Sequence, residues 1–272
     1  MPWMTRGIRE GIVTSRYPHR PDGYGPLFRA TVSVSGGEDV ARLDAPEAVA
    51  VAQLCPTGAI KTEGGIRVDR GLCVACGRCV AARPEMFSFD ADFEVAALRR
   101  DLLVVSRHEE GQNDLAELRE GLARRVRALR RSIHIRHIDC GSDGSEEWEI
   151  AALTNPFYDV QRLGIFFTAS PRHADLLLVT GAGATGMLGA LHRTFDAMPT
   201  PKLIIAIGSE TASGGLLARS YATRGGIADD ISVDVFVPGS PPSPFAILHG
   251  ILLAIGLMPV RGSDATQAER SS

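Results

Sequence analysis

Four strand-like runs in the second half of the chain constrain its fold most. They are "SIHIRHID" from residue 132, "ADLLLVTG" from 174, "KLIIAIGS" from 202 and "SVDVFVPG" from 232, each closing on a turn that contains Gly or Asp. Helical patterns separate them, "MLGALHRTFDAM" after the second and "SPFAILHGILLAIG" after the fourth. Strand and helix in alternation predict a parallel sheet with helices on its faces. In such sheets sites form in the loops beyond the carboxyl ends of the strands. The expectation over 132–262 is therefore an α/β domain, with a polar, disordered tail at 263–272.

The first half has another texture. Residues 1–29 read as a short amphipathic helix, with Met4, Ile8 and Ile12 on one face, followed by an extended arm rich in Pro, Gly and Tyr. That helix is either a frayed terminus or a surface for a partner or membrane. From 30 to 95 short strands, a helix opening at Asp44 and a hairpin around Gly64-Gly65 suggest a compact α+β unit. A linker over 96–131 carries a helix at 113–131, N-capped by Asn113, with Leu115, Leu118, Leu122, Val126 and Leu129 on one face. Its arginines (Arg124, Arg125, Arg127, Arg130, Arg131) read as a solvated or partner-facing end. With 272 residues there is room for two modest domains, and a net charge of -3 gives no pull toward nucleic acid. No secretory signal is visible, and "PFAILHGILLAIGLMPV" (244–260) is short for a membrane span and reads as a buried helix.

The chemistry-bearing residues are cysteines. Cys55, Cys73, Cys76 and Cys79 lie within 25 residues, and Cys140 stands apart. Thiols at two-residue gaps can turn three ligands toward one centre. In two-cluster bacterial ferredoxins, which this stretch resembles, the run is C-x2-C-x2-C-x3-C-P, and its fourth cysteine ligates the other cluster. Here Arg83 stands at that fourth position, before Pro84. Cys55, before Pro56, is the surviving C-P cysteine of an earlier motif whose other positions are Ala45, Ala48 and Val51. One quartet (Cys55, Cys73, Cys76, Cys79) is complete. The other (45, 48, 51 and 83) is wholly absent. This predicts one 4Fe–4S cluster, with structural zinc on the same thiolates as the alternative.

Two resemblances extend this. Residues 1–92 resemble the two-cluster ferredoxin subunit of complex I and of formate hydrogenlyase-type hydrogenases, with "SRYP" and "GPLFRA" in its arm. Residues 132–260 resemble the small subunit shared by complex I and nickel–iron hydrogenases, on "RHADLLLVTG", "HRTFDAMPTPKLIIAIGS" and "DVFVPGSPPSPFAILHGIL". The chain looks like a fusion of the two, and the resemblance implies a ferredoxin-like domain followed by a flavodoxin-like one. The small subunit normally holds a 4Fe–4S cluster through cysteines in three loops. This chain has Asp143 and Glu146 at the first loop's ligand positions ("DCGSDGSEEWE"), Glu210 in the second ("GSETASGG") and Ser240 in the third ("PGSPP"). The expectation is that this cluster is lost, Cys140 alone being unable to hold it. The four replacements are read as polar residues facing solvent or an interface, a hard cation or an arginine being the alternative.

The resemblance implies a non-catalytic electron-transfer subunit with one 4Fe–4S cluster. Its partners would be a large subunit, membrane-arm subunits and a redox partner protein. It would lie in the cytoplasm, attached peripherally to the membrane through those subunits. The alternative is a structural or redox-sensing assembly subunit that has lost its relay. Other features carry less. His134 and His137 are read as packed histidines on one strand face. The glycine-rich 180–189 lacks a phosphate-loop pattern. Asp139 and Glu149 match acidic residues of the family's first loop, where a proton-transfer role is implied only weakly.

Overall fold

The computed structural model describes residues 2–20, 23–29, 31–34, 45–63, 65–105, 120–122, 124, 132–217 and 219–258. Of the helix expected over 113–131, only 120–122 and 124 are described, and they are helical. Asn113, Gly64 and the tail at 263–272 lie outside the described residues.

The second half forms a five-stranded, all-parallel sheet in the order β10-β9-β8-β6-β7. Its strands are β6 (Ile133–Asp139), β7 (Ile165–Phe167), β8 (Leu176–Thr180), β9 (Leu203–Ile207) and β10 (Val235–Val237). Every residue of β8, β9 and β10 is buried. That is why these runs read as unbroken apolar stretches: a strand covered on both faces has no polar side to alternate with. Leu176, Leu178, Leu203 and Ile205 join one core cluster, and Leu177, Val179, Ile204 and Ala206 join the other.

Helices α4 (Ser145–Ala152), α5 (Leu188–Ala197), α6 (Gly208–Ser213) and α7 (Pro244–Ala254) complete this half. Ser243 caps α7, its hydroxyl accepting from Ala246 N at 3.3 Å, with Pro244 in the first helical turn. All eleven residues of α7 are buried, as the greasy stretch implied. No helix among the described residues is long and apolar enough to cross a membrane.

The first half holds α1 (Pro2–Glu10), β1 (Thr31–Val34), α2 (Ala45–Gln53), β2 (Ile60–Lys61), β3 (Arg67–Asp69), α3 (Arg78–Ala82), β4 (Phe87–Asp90) and β5 (Val104–Val105). β1 pairs antiparallel with β4, and β3 lies between β2 and β5, antiparallel to both. Val32, Val51, Ile60, Val68 and Phe87 form their common core. The stretch after 95 is no loose tether. Val95, Ala96 and Leu98 enter the core of the parallel sheet, Ala97 bridges Phe236, and Val104–Val105 returns to complete the small sheet.

The N-terminal helix is exposed, Trp3 and Ile8 included, and it ends before Ile12. The arm after it is anchored. Tyr17, Tyr24 and Phe28 pack with Phe93 and Phe157 around Phe245 of α7, ring centroids 4.7–6.2 Å apart. Edge-to-face rings of this kind add to the apolar area they bury.

The loops at the carboxyl edge of the sheet interlock. Cys140 N donates to Thr180 O at 2.8 Å, and Ala184 N returns a bond to Cys140 O at 2.7 Å. Gly181 makes this contact close. Its φ is +87°, and an added Cβ would stand 2.6 Å from Gly141 C and Ser142 N. Left-handed backbone and a backbone neighbour both exclude a side chain. Gly181→Ala is therefore expected to lower the unfolding free energy by about 2–5 kcal/mol, strain and overpacking adding. Denaturant titration measures this, and a loss below about 1 kcal/mol would mean the loops separate easily.

Candidate metal centre

Four thiols line one concavity. Cys55, Cys73, Cys76 and Cys79 line it together with Val32, Leu54, Thr57, Ile60 and Val68. The fold brings them there from three places. Cys55 follows α2, Cys73 and Cys76 lie in the loop after β3, and Cys79 sits in the first turn of α3. Two residues bend that loop: Ala75 takes a left-handed φ of 50°, unusual for a residue with a Cβ, and Gly77 takes 74°. Cys76 is exposed and the other three are half-buried.

Backbone amides point at the sulfurs. Ala59 N donates to Cys55 Sγ at 3.2 Å, and Ala75 N to Cys73 Sγ at 3.4 Å. Burial pushes the Cys73 thiol up to about 11, with the charges of the other three thiols adding and the Ala75 amide opposing. At Cys55 burial also raises the pKa, but hydrogen bonds from Thr57, Ala59 and Ile60 outweigh it and the net shift is downward. Among the described residues no three Cys, His, Asp or Glu side chains are grouped as a site for a single metal ion.

The cysteine loop rests on the parallel-sheet half. Ser209 Oγ, in α6, donates to Cys73 O at 2.8 Å. Arg100 pairs with Asp69 at 2.8 Å and donates to Ser213 Oγ and Ala212 O of α6 at 2.8 and 3.2 Å. Sequence reasoning missed Ser209, Arg100 and Asp69, since nothing in their local pattern marks a contact across more than thirty positions.

The replaced ligand positions gather at the carboxyl edge of the sheet, and here the expectation needs correction. Asp143 is exposed and Ser240 half-buried, but Glu146 is 0% exposed and Glu210 only 7%. Two of the four do not face solvent. Burial pushes the Glu146 carboxyl up to about 7, with Glu210 and Asp143 adding and hydrogen bonds from its own amide and the Ser145 hydroxyl opposing. The Glu210 carboxyl is also raised, by burial and then by Asp143, Glu147 and Asp139. Asp143 is held below the usual carboxylate range by hydrogen bonds from the Ser145 hydroxyl and amide.

Nearby, His137 Nε2 lies 3.0 Å from Thr180 Oγ1 and 3.5 Å from Glu147 Oε1, and Thr180 Oγ1 donates to Glu147. His134 stacks on Phe166 and lies 3.7 Å from Asp175. The two histidines are packed and partnered, but not on one face: three positions apart on a strand, they point to opposite sides. Cys140 is fully buried, its thiol pushed up to about 12 by that burial, and so is unreactive.

The sequence profile of the NADH ubiquinone oxidoreductase 20 Kd subunit family matches residues 143–254. Over 138 residues the chain is 40% identical to the probable membrane-bound hydrogenase subunit mbhJ of Pyrococcus furiosus, covering 51% of this chain and 83% of that one. The chain belongs to this family.

It is also 39% identical over 133 residues to formate hydrogenlyase subunit 7 of Escherichia coli, and spans about half the length of that relative (52%), using 49% of itself. A chain of the solved membrane-bound sulfane sulfur reductase, an archaeal respiratory membrane complex, is 30% identical, with a TM-score of 0.43 and coverage of 48% of this chain and 74% of that one. Asp143, Glu146, Glu210 and Ser240 all fall inside the family match, whereas Cys55, Cys73, Cys76 and Cys79 lie before it.

Proposed function

We propose that the chain is an electron-transfer subunit of a membrane-associated, hydrogenase- or complex I-like assembly. Its first half would be a ferredoxin-like unit fused to the family's α/β domain, with one 4Fe–4S cluster on Cys55, Cys73, Cys76 and Cys79. The observation that carries this reading is the ring of four thiols around one apolar concavity with amides aimed at the sulfurs. Zinc would take the same four thiolates. The Cys73–Cys79 spacing with a remote cysteine before proline is the ferredoxin pattern and favours the cubane. When bound, such a cluster supplies a one-electron carrier. The chain's own residues have separate tasks. The cysteines ligate, the Ala59 and Ala75 amides stabilise negative charge on sulfur, and Val32, Leu54, Ile60 and Val68 keep water from the inner wall. Exposed Cys76 brings one edge of the site to the surface, where a redox partner would approach.

The α/β domain serves as the dock. Its relatives are named as subunits of a formate hydrogenlyase and a membrane-bound hydrogenase. The likeness supports partner subunits of that kind, a large subunit and membrane-arm subunits, and peripheral attachment to the membrane through them. The test is an iron and acid-labile sulfide count on anaerobically purified protein, with low-temperature EPR after reduction. About four irons and one reducible signal are expected. Zinc in place of iron would overturn electron transfer and leave a structural subunit. About eight irons would mean that the α/β domain still recruits a cluster.

A further inference from the structure

Counted as whole residues, three acidic residues of the described chain are more than nine-tenths buried; the Asp230 side chain, 8% exposed, has Arg224 at 3.3 Å. Asp69 has its counter-charge, Arg100, at 2.8 Å. Glu146 and Glu210 have none among the described residues, and each leaves one oxygen without a hydrogen-bond partner, Oε1 of Glu146 and Oε2 of Glu210. A buried ionised carboxylate without a cation is costly, and two that repel one another are worse. The charges that act on them are negative: Asp139 from the end of β6, Asp143 from the following loop and Glu147 from α4, while the Glu146 amide and the Ser145 hydroxyl are donors to Glu146. The imidazole of His137 faces Glu147 and Thr180.

One hydroxyl links the buried carboxyl to the surface. Ser145 Oγ is 2.6 Å from Asp143 Oδ1 and 3.1 Å from Glu146 Oε2. A hydroxyl has one hydrogen to give. It can go to Asp143, whose Oδ1 also accepts from Ser145 N at 2.9 Å, or to Glu146; both contacts are hydrogen bonds at once when Glu146 carries a proton and donates it to Ser145.

We propose that Asp143, Ser145, Glu146 and Glu210 form a proton-binding path, in which a proton from solvent is loaded through the Ser145 hydroxyl onto Glu146 and shared with Glu210. The transfer conserves atoms and charge. A proton arriving on Asp143 Oδ1 bonds to Ser145 Oγ as the hydroxyl's own hydrogen leaves for Glu146 Oε2. Serine is unchanged after a rotation, Asp143 is again ionised at the surface, and the proton rests inside. Glu210 lies in α6, two residues after Gly208, whose backbone packs against the Glu146 carboxyl. The path so runs from the surface to the element that carries Ser209 and, through it, the cysteine loop. It does not depend on what the cysteines bind.

The test is infrared difference spectroscopy of the full chain titrated from about pH 5 to about pH 9. The expected result is a protonated-carboxyl C=O band that disappears near neutrality in the wild-type protein and is absent from Glu146→Gln. In Ser145→Ala the band persists at higher frequency, because the Glu146 hydroxyl has lost its acceptor. Circular dichroism checks folding, and if Glu146→Gln does not fold, the shift in Ser145→Ala decides. No band titrating above the ordinary carboxyl range would overturn the proposal, as would a band unchanged in both variants. Calorimetric binding of Mg²⁺ or Ca²⁺ that Glu146→Gln abolishes would also overturn it, the site then being one for a metal cation.

Discussion

Alanine at Cys55 is expected to remove bound iron as completely as alanine at Cys73, Cys76 or Cys79, taking it from about four atoms per chain to near zero. Alanine at Cys140 is expected to leave it unchanged. The comparison is informative because Cys55 is distant in sequence from the other three and yet lines the same concavity, its sulfur accepting from Ala59 N at 3.2 Å. Cys140 is fully buried between loops of the other half. Three thiolates leave one iron of a cubane open, and beside Cys55 the lining offers only the Thr57 hydroxyl, a weak ligand for iron, in its place. Iron and sulfide analysis with visible absorbance reads the result. Retention of four irons in Cys55→Ala would refute the assignment of that residue as the fourth ligand, and loss of iron in Cys140→Ala would place the metal in the α/β half.

The same pair of residues shows what a sequence makes legible. Ligand spacing is local, so the Cys73–Cys79 run announces itself, and Cys55 is found because a proline and a lost quartet mark its place. The parallel sheet is equally plain: runs such as "LIIAI" are continuous because both faces of β9 are covered. Less can be read where one short segment answers a distant one. β5 has only two residues, and its role is set by Asp69 and Val68, thirty-five and thirty-seven positions upstream of their partners. Tyr17 and Phe28 look like members of a free arm until Phe245 supplies the surface they pack on. Glu146 and Glu210 were the hardest. A carboxylate in a glycine-rich loop reads as solvated by default, and only the convergence of α4 with α6 shows that these two are inside. Ser145, which bridges Asp143 and Glu146, carries no signal at all in a run of polar residues.

Glu146→Gln is expected to stabilise the protein at alkaline pH and to do little in acid. Burial and the neighbouring Glu210 and Asp143 hold the folded carboxyl at about 7, against 4.5 for an unperturbed glutamate. Between those values the folded state binds a proton that the unfolded state has released. Stability is therefore full below about pH 4.5, falls as pH rises, and levels off once the folded group has ionised above about pH 7. The shift of about 2.5 units corresponds to about 3 kcal/mol at most. Glutamine keeps the shape, cannot ionise and removes that slope, while its amide can still donate to Ser145 as the protonated acid does. Loss of one charge also eases Glu210, which adds to the gain. Denaturant unfolding at about pH 5 and about pH 8.5 would show the two proteins converging in acid and the variant ahead by up to about 3 kcal/mol in base. Parallel curves at the two pH values would mean that Glu146 ionises in the folded protein as it does in the unfolded chain, and that a counter-charge reaches it.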